Sequence, residues 1–394
     1  MAHKLISNIK KCLCYKRART LINLLTYEQM KRLFLKNILF FCTLCIIGCK
    51  EDNKNYINFV DPQNQIILTE ENLPPIEYFT LEKVDISDII GKKFFVYADS
   101  ILIVINPKHP QPYMVSFYNL QTKEFIAGYI KKGIGPGEMI SIYPELKDNN
   151  LHLNDYNQNS ITRINIDSVL EQRMLYSPQI TFIQDGYTGV SFIYNNQDTI
   201  TLINTWFING FGASNIPEFV QIDARTGKPL DKYKTNKSNY PFNICLRSVF
   251  FDKQNNKYIV PWLKFPIISI YDSLFRIEKQ YIGPESVDID LTSDEWNNIK
   301  EANVNTFYYQ APTQMGGKIL LVNCRCKKKK YDDYKKNLSA SEIWVFDTDK
   351  GIERRLKCLD SHGELCCLSY CVATNNIYVM DYDTGELYKC VLEK

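Results

Sequence analysis

From residue 76 to the C-terminus the chain is a succession of short apolar runs, most alternating with polar positions, separated by Asn, Asp, Gly and Pro. Alternation of period two between turn residues is the mark of strands, and many short strands at regular spacing predict a sandwich, a barrel or a propeller. One unit returns. Residues 149–166 read NNLHLNDYNQNSITRINI, and 226 positions later residues 375–392 read NNIYVMDYDTGELYKCVL. Both copies open on Asn-Asn and alternate through Leu151/Ile377 and Leu153/Val379. Both then place Asp-Tyr at the same point (Asp155-Tyr156, Asp381-Tyr382) and resume with Arg163 or Lys389 in the middle. A supersecondary unit that recurs along one chain predicts a repeat architecture.

Anchored on that unit, the pattern divides into six segments. The first holds strands at 94–97, 101–106, 113–120 and 124–130. The second holds 140–143, 151–156, 161–166 and a last strand near 172–182. The third holds 190–194, 199–205, 218–223 and a strand near 228–234, and the fourth 245–251, 257–261, 267–272 and 275–282. The fifth holds 306–311, 318–323, 342–347 and 353–359. The sixth, at 365–371, 377–381 and 387–392, is one strand short. The run at 76–86 has no segment of its own. Pairing as the outer strand of the sixth, it would close a ring and leave no long sheet edge bare. The expected fold is therefore an all-β, six-bladed β-propeller over residues 76–394, closed by an N-terminal strand joining the last blade. A helix is predicted only at 292–303, with Ser293 or Asp294 as cap.

The N-terminus changes the picture of where such a fold would work. Residues 30–49 read MKRLFLKNILFFCTLCIIGC, with Lys31, Arg32 and Lys36 ahead of an apolar run at 38–47. That run is too short to span a bilayer as a helix and has the layout of a secretory signal. Its end, Ile46-Ile47-Gly48-Cys49, resembles a bacterial lipobox, which implies cleavage after Gly48 and acylation of Cys49. Lys50-Glu51-Asp52 resembles the acidic export signal of Bacteroides-type surface lipoproteins. The expected organisation is an extension and signal peptide at 1–48, a lipidated Cys49 with a tether to residue 75, and the propeller at 76–394. The location implied is the outer membrane, with surface exposure, and the membrane is the first expected partner. Residues 1–29 stand outside this scheme, and Met30 reads as the start of the signal.

Charge removes one class of partner. Nine of 47 Lys/Arg and one of 44 Asp/Glu lie in residues 1–48, leaving 38 basic and 43 acidic residues from Cys49 onward. A mildly acidic chain lacks the footprint that a phosphate backbone requires, so nucleic acid is not expected. The strand-turn-strand unit is similar to NHL-type repeats. With the segment GIGPGE (133–138) it resembles the Bacteroides-type six-bladed, TolB-like propeller lipoproteins, a resemblance that implies a fold and a location but no activity.

Candidate chemistry is sparse. GIGPGE lacks the Lys-Ser/Thr and following helix of a phosphate loop and reads as a turn between blades. Eight cysteines follow Cys49, at 245, 324, 326, 358, 366, 367, 371 and 390, without zinc spacing and with few histidines, so no metal and no cofactor are expected. There is no G-x-S-x-G elbow and no H-E-x-x-H. Topology gives the sharper expectation. In a propeller the loop between a blade's second and third strands leaves on the same face as the connection to the next blade. That face should carry His109, Glu138, Trp206, Phe211, Trp262, Phe265 and Arg325, with the aromatics as contact area and the Glu and Arg orienting a ligand. The expected function is a non-catalytic binding module for a glycan, peptide or protein. A propeller hydrolase or lyase acting on a glycan or peptide at the same face is the second reading.

Overall fold

The computed structural model describes residues 64–392, apart from 87–88, 90, 107–111, 156, 186, 188, 205–218, 234–246, 264, 285–308, 324–341, 360–364, 372 and 382–383. The helix expected at 292–303 lies outside the described residues. The described chain is nearly all β and is built from four-strand antiparallel meanders in sequence order.

The first meander is Lys93–Tyr97, Ile101–Ile105, Val115–Asn119 and Phe125–Tyr129. The second is Tyr143–Lys147, Asn150–Asp155, Ser160–Asn165 and Gln179–Phe182. The third runs Gly189–Tyr194, Thr199–Asn204, Phe219–Asp223 and Pro229–Tyr233. The fourth runs Phe250–Asp252, Lys257–Pro261, Ile267–Tyr271 and Ile277–Ile282. The fifth has Tyr309–Met315, Lys318–Asn323, Glu342–Asp347 and Gly351–Cys358. Leu365–Cys371, Asn376–Asp381 and Leu387–Leu392 form the sixth, and its outer edge pairs antiparallel with Ile76–Val84, from Phe79↔Leu392 to Val84↔Leu387.

Two expectations shift by a strand or less. The first strand of the second meander is Tyr143–Lys147 rather than 140–143, because Glu138–Met139 instead pairs with Lys131–Lys132. The fourth meander opens at Phe250, preceded by a lone bridge from Arg247 to Trp262. A larger difference is a helix, Ile166–Gln172, inserted between the third and fourth strands of the second meander. Asn165 caps it by accepting from Ser168 N at 2.9 Å, and Ile166 and Val169 anchor it in the core. With only two buried apolar positions over two turns, its pattern was too short to read as a helix.

The N-terminal segment does more than close the last meander. Gln65–Ile67, expected in the tether, adds in parallel to the outer strand of the fourth meander (Gln65↔Gln280, Ile67↔Ile282). Leu68 and Leu73 are then buried against the fourth and fifth meanders. Ile76–Phe79 pairs in parallel with Arg355–Cys358 of the fifth before the strand turns its other edge to the sixth. Arg355, 3 % exposed, forks onto Glu342 (2.9 Å twice) and reaches Glu70 of this strap at 2.9 Å. The fold therefore starts by residue 64, not 76.

Packing follows from alternation on strands covered on both sides. In the fourth meander Phe250, Ile259, Ile268 and Ile270 face the fifth, while Phe251, Tyr258, Val260 and Tyr271 face the third. Phe192, Leu202 and Val220 of the third pack on Ile161 of the second. One large cluster joins the fifth, sixth, first and second. Each meander is thus sandwiched by its sequence neighbours, a propeller-like arrangement. At the centre, first strands bond to one another: Val96 N donates to Ser369 Oγ at 2.9 Å. Those of the second and fifth meet directly, with Gln314 bridging Lys147 and Thr313 Oγ1 donating to Leu146 O at 2.7 Å.

Candidate functional site

The second meander's first strand places Glu145 and Lys147 two residues apart, on one face, turned toward the third. Lys147 is sealed, with a side chain 1 % exposed, whereas that of Glu145 is 21 % exposed. The ammonium donates to Glu145 Oε2 at 2.6 Å, to Ser191 Oγ at 3.3 Å and to the carbonyl of Phe192. It also lies over the rings of Phe250 (5.0 Å) and Phe192 (5.7 Å). Burial pulls the Lys147 pKa below its ordinary value, and the Glu145 carboxylate opposes that shift. Three acceptors and two ring faces are what a charge needs to survive there.

Glu145 gathers the neighbours. Its carboxylate accepts from Ser191 Oγ at 3.1 Å and Ser248 Oγ at 3.4 Å, so the second, third and fourth meanders converge on one group. Ser191 Oγ also accepts from Val249 N at 3.1 Å, locking the third and fourth together. Lys147 lies on the side of the tight turn after it, and Ser248 precedes its meander's first strand. His152, directly opposite Glu145 in the ladder, is 2 % exposed and packs on Phe192 and Tyr194. Its pKa lies well below the ordinary histidine value, first through burial and then through Lys147, Arg163 and Lys253. It is a neutral packing residue.

Of the residues expected on a ligand face, His109, Trp206, Phe211 and Arg325 lie outside the described residues, as does the expected lipidation site Cys49. Trp262 is 0 % and Phe265 4 % exposed, edge to face at 6.0 Å, with the indole N–H donating to Ser269 Oγ at 3.1 Å. The Arg247 guanidinium covers the Trp262 ring at 4.2 Å. These two aromatics fill the interior of the fourth meander and offer no exposed platform. The physical reason is the Arg247–Trp262 bridge, which extends the ladder by a residue and turns the indole inward.

Glu138 works for its own loop. Its Oε2 accepts from Gly135 N at 2.9 Å and its N–H donates to Gly135 O at 3.0 Å. A Cβ on Gly133 would stand 1.9 Å from that same oxygen, so a larger residue there would push the carboxylate off its turn. Gln158 Nε2 ties the loop down at Gly133 O (2.8 Å) and Glu138 O (3.0 Å). The repeated Asp-Tyr also resolves into turn chemistry: Asp155 accepts from Asn157 N at 2.9 Å and Ile140 N at 2.6 Å, and Asp381 from Thr384 N at 2.9 Å.

Sequence reasoning missed Glu145, Lys147, Ser191 and Ser248. The available signal was a Glu and a Lys spaced by two on one face of a strand, ELK at 145–147. Among the described residues no group of His, Cys, Asp and Glu is arranged to hold a metal. Cys371 and Cys390 are buried free thiols.

The fold and this centre define a nearly all-β, propeller-like assembly with a polar cluster where the second, third and fourth meanders meet. No family model matches the chain, and no curated protein matches it. Among solved structures it is similar to a member of the DUF4221 family from Bacteroides vulgatus, at 10 % identity and TM-score 0.51, covering 81 % of this chain and 97 % of that one. It is also similar to a candidate exported protein from Bacteroides fragilis, at 11 % identity and TM-score 0.50, covering 84 % and 99 %. At these identities the likeness is one of fold.

Proposed function

We propose that the chain is a six-bladed β-propeller closed by Ile76–Val84 on its last blade, lipid-anchored at Cys49 in the outer membrane, and serving as a non-catalytic binding module. The cyclic order of packing, from the first meander round to the sixth and back, supports the blade count. The signal layout ending at Cys49 supports the location, in keeping with the exported name of one similar structure. The observation that carries the binding reading is the convergence of Ser191 and Ser248 on the partly exposed Glu145. That cluster pairs its carboxylate with a lysine sealed from solvent, not with a second carboxylate or an accessible histidine. An ion pair neutral overall, ringed by hydroxyls, suits a glycan or peptide backbone that both donates and accepts.

The test is a glycan and peptide array with wild type and Ser248→Ala, which leaves the Lys147–Glu145 pair intact. At least one wild-type ligand should weaken by about tenfold, the loss of one hydrogen bond to a charged group. Unchanged binding of every ligand would end the assignment of this cluster. For the anchor, a radioactive fatty acid should label wild type and not Cys49→Ser.

A further inference from the structure

Alternation puts three side chains of one strand on the same face. The pairing of Tyr143–Lys147 with its neighbour runs without a bulge, so Tyr143, Glu145 and Lys147 point one way and Pro144 and Leu146 the other. Pro144 and Leu146 are buried, the latter in the cluster shared with the first meander. On the opposite face exposure falls in sequence: Tyr143 is 49 % exposed, the Glu145 side chain 21 % and that of Lys147 1 %. The face grades from an exposed ring, past a partly exposed carboxylate, to a sealed ammonium. Residues two apart on a strand stand about 7 Å from each other.

The carboxylate is not saturated. Oε2 accepts from Lys147 Nζ at 2.6 Å and from Ser191 Oγ at 3.1 Å. The Ser191 hydroxyl accepts from Val249 N and from Lys147 Nζ, so its single proton goes to Glu145, and Oε1 shares it at 3.2 Å. Among the described residues the other donor to Oε1 is Ser248 Oγ at 3.4 Å, a long bond that leaves lone pairs on both oxygens for another partner. A ligand is therefore offered an acceptor and a hydroxyl side by side, one strand spacing from an aromatic ring.

From this arrangement we infer that the cluster takes a neutral sugar ring, with Tyr143 as its stacking platform; the inference rests on the reading of Glu145 and Ser248 as a binding site. A pyranose combines a face of C–H groups with hydroxyls on its rim. Two adjacent hydroxyls can turn so that one donates to Glu145 Oε1 and the other accepts from Ser248 Oγ, while the C–H face lies on the Tyr143 ring. A peptide group fits worse. Its planar trans amide points N–H and C=O in opposite directions and cannot address two atoms 3.4 Å apart from one side. Charge narrows the class further. Lys147 already compensates Glu145, so a cationic sugar gains little, and a uronate would bring a second carboxylate against the first.

The experiment presents the wild-type chain with neutral hexose oligomers, uronic-acid oligomers, amino-sugar oligomers and peptides on one array, and repeats it with Tyr143→Ala, Tyr143→Phe and Ser248→Ala. The strongest signals should be neutral oligomers, weakened about tenfold by Tyr143→Ala and by Ser248→Ala. Tyr143→Phe, which keeps the ring, should stay within about threefold of wild type. Saturation-transfer NMR on a bound oligomer should find the largest transfer on the C–H protons of one sugar face, and Tyr143→Ala should remove that pattern. Ligands weakened by Ser248→Ala but not by Tyr143→Ala would overturn the platform and leave the cluster standing as a binding site. Equal losses in Tyr143→Phe and Tyr143→Ala would overturn stacking, since the ring would not be what binds. Peptides, uronates or amino sugars as the Ser248-dependent ligands would overturn the neutral-sugar assignment alone. No binding, or binding that Ser248→Ala leaves untouched for every ligand, would remove the site and this inference with it.

Discussion

Arg354 and Arg355 sit side by side on one strand and each forks onto a glutamate, which makes a direct test of what burial does to an ion pair. Arg355 and Glu342 are both 3 % exposed, at 2.9 Å for each of two bonds, and the Trp344 indole N–H adds a third contact to Glu342 at 2.8 Å. Arg354 and Glu77 have equally good geometry, 2.8 and 2.6 Å, but are 21 % and 43 % exposed. Glu342→Gln leaves a guanidinium deep in the fold with Glu70 as its remaining carboxylate, and breaking a buried pair costs about 3–5 kcal/mol. Glu77→Gln removes a pair that water already screens, at a cost under about 1 kcal/mol. Unfolding entropy of about 2.1 cal/mol/K per residue, over the span from 64 to 392, is about 0.7 kcal/mol/K. Differential scanning calorimetry should then show Tm falling by about 4–7 °C for Glu342→Gln and by less than about 1.5 °C for Glu77→Gln. Raising salt to 1 M should erase the smaller effect and leave the larger. Equal shifts in the two variants would refute the argument, because geometry alone would then be setting the energy.

Gly227 and Gly385 share φ = +71°, but a Cβ on Gly227 would lie 1.8 Å from the Phe182 carbonyl while one on Gly385 meets nothing within 4 Å. Gly385→Ala should cost about 1 kcal/mol and Gly227→Ala at least about 3 kcal/mol in urea unfolding. His152 has a folded pKa below its unfolded one, so the unfolded chain binds the extra proton, and stability holds above about pH 6.5 and falls as pH drops beneath it. Between pH 6.5 and 5 the loss from this residue should approach about 1.4 kcal/mol per unit, and His152→Gln should flatten that slope. A chain starting at Gly91 should melt at least about 7 °C below one starting at Asn53, since Leu68, Leu73 and Phe79 lose burial worth about 5–9 kcal/mol together; equal melting temperatures would remove the strap from the account of stability.

The strands were legible because their residues announce themselves twice. ILIVI at 101–105 and KILLVN at 318–323 are continuous apolar runs bounded by turns, the pattern of a strand covered on both faces. The closing pairing of residues 79–84 with 387–392 was legible from arithmetic, a strand missing at one end and a spare at the other. The recurring turn chemistry was also on the page. Asn119, Asp223 and Asp347 each end a third strand, Asp272 directly follows one, and all four accept from backbone N–H groups two to four residues on. The site was not legible. Trp262 and Phe265 look like a platform in sequence because WLKFP reads as a loop, and only the Arg247–Trp262 bridge turns them inward. Glu145 looks like an ordinary strand residue because its partners Ser191 and Ser248 come from 46 and 103 positions away.

The same limit explains the strap. Nothing in QII at 65–67 distinguishes a parallel strand on the fourth meander from a tether, since its partners lie more than 200 positions along the chain. The strands placed first in the sequence are thus the last that can pair. Phe79 to Val84 must wait for Leu387–Leu392, and Glu70 for Arg355. Until those arrive, the outer edges of the fourth, fifth and sixth meanders lack their cover, and closure of so long a loop makes completion slow relative to the pairing within each meander. The hydrogen-bonded meander is a local product of sequence. Their union is not, and the charged pairs at Arg354 and Arg355 sit where that late, non-local docking has to be made specific.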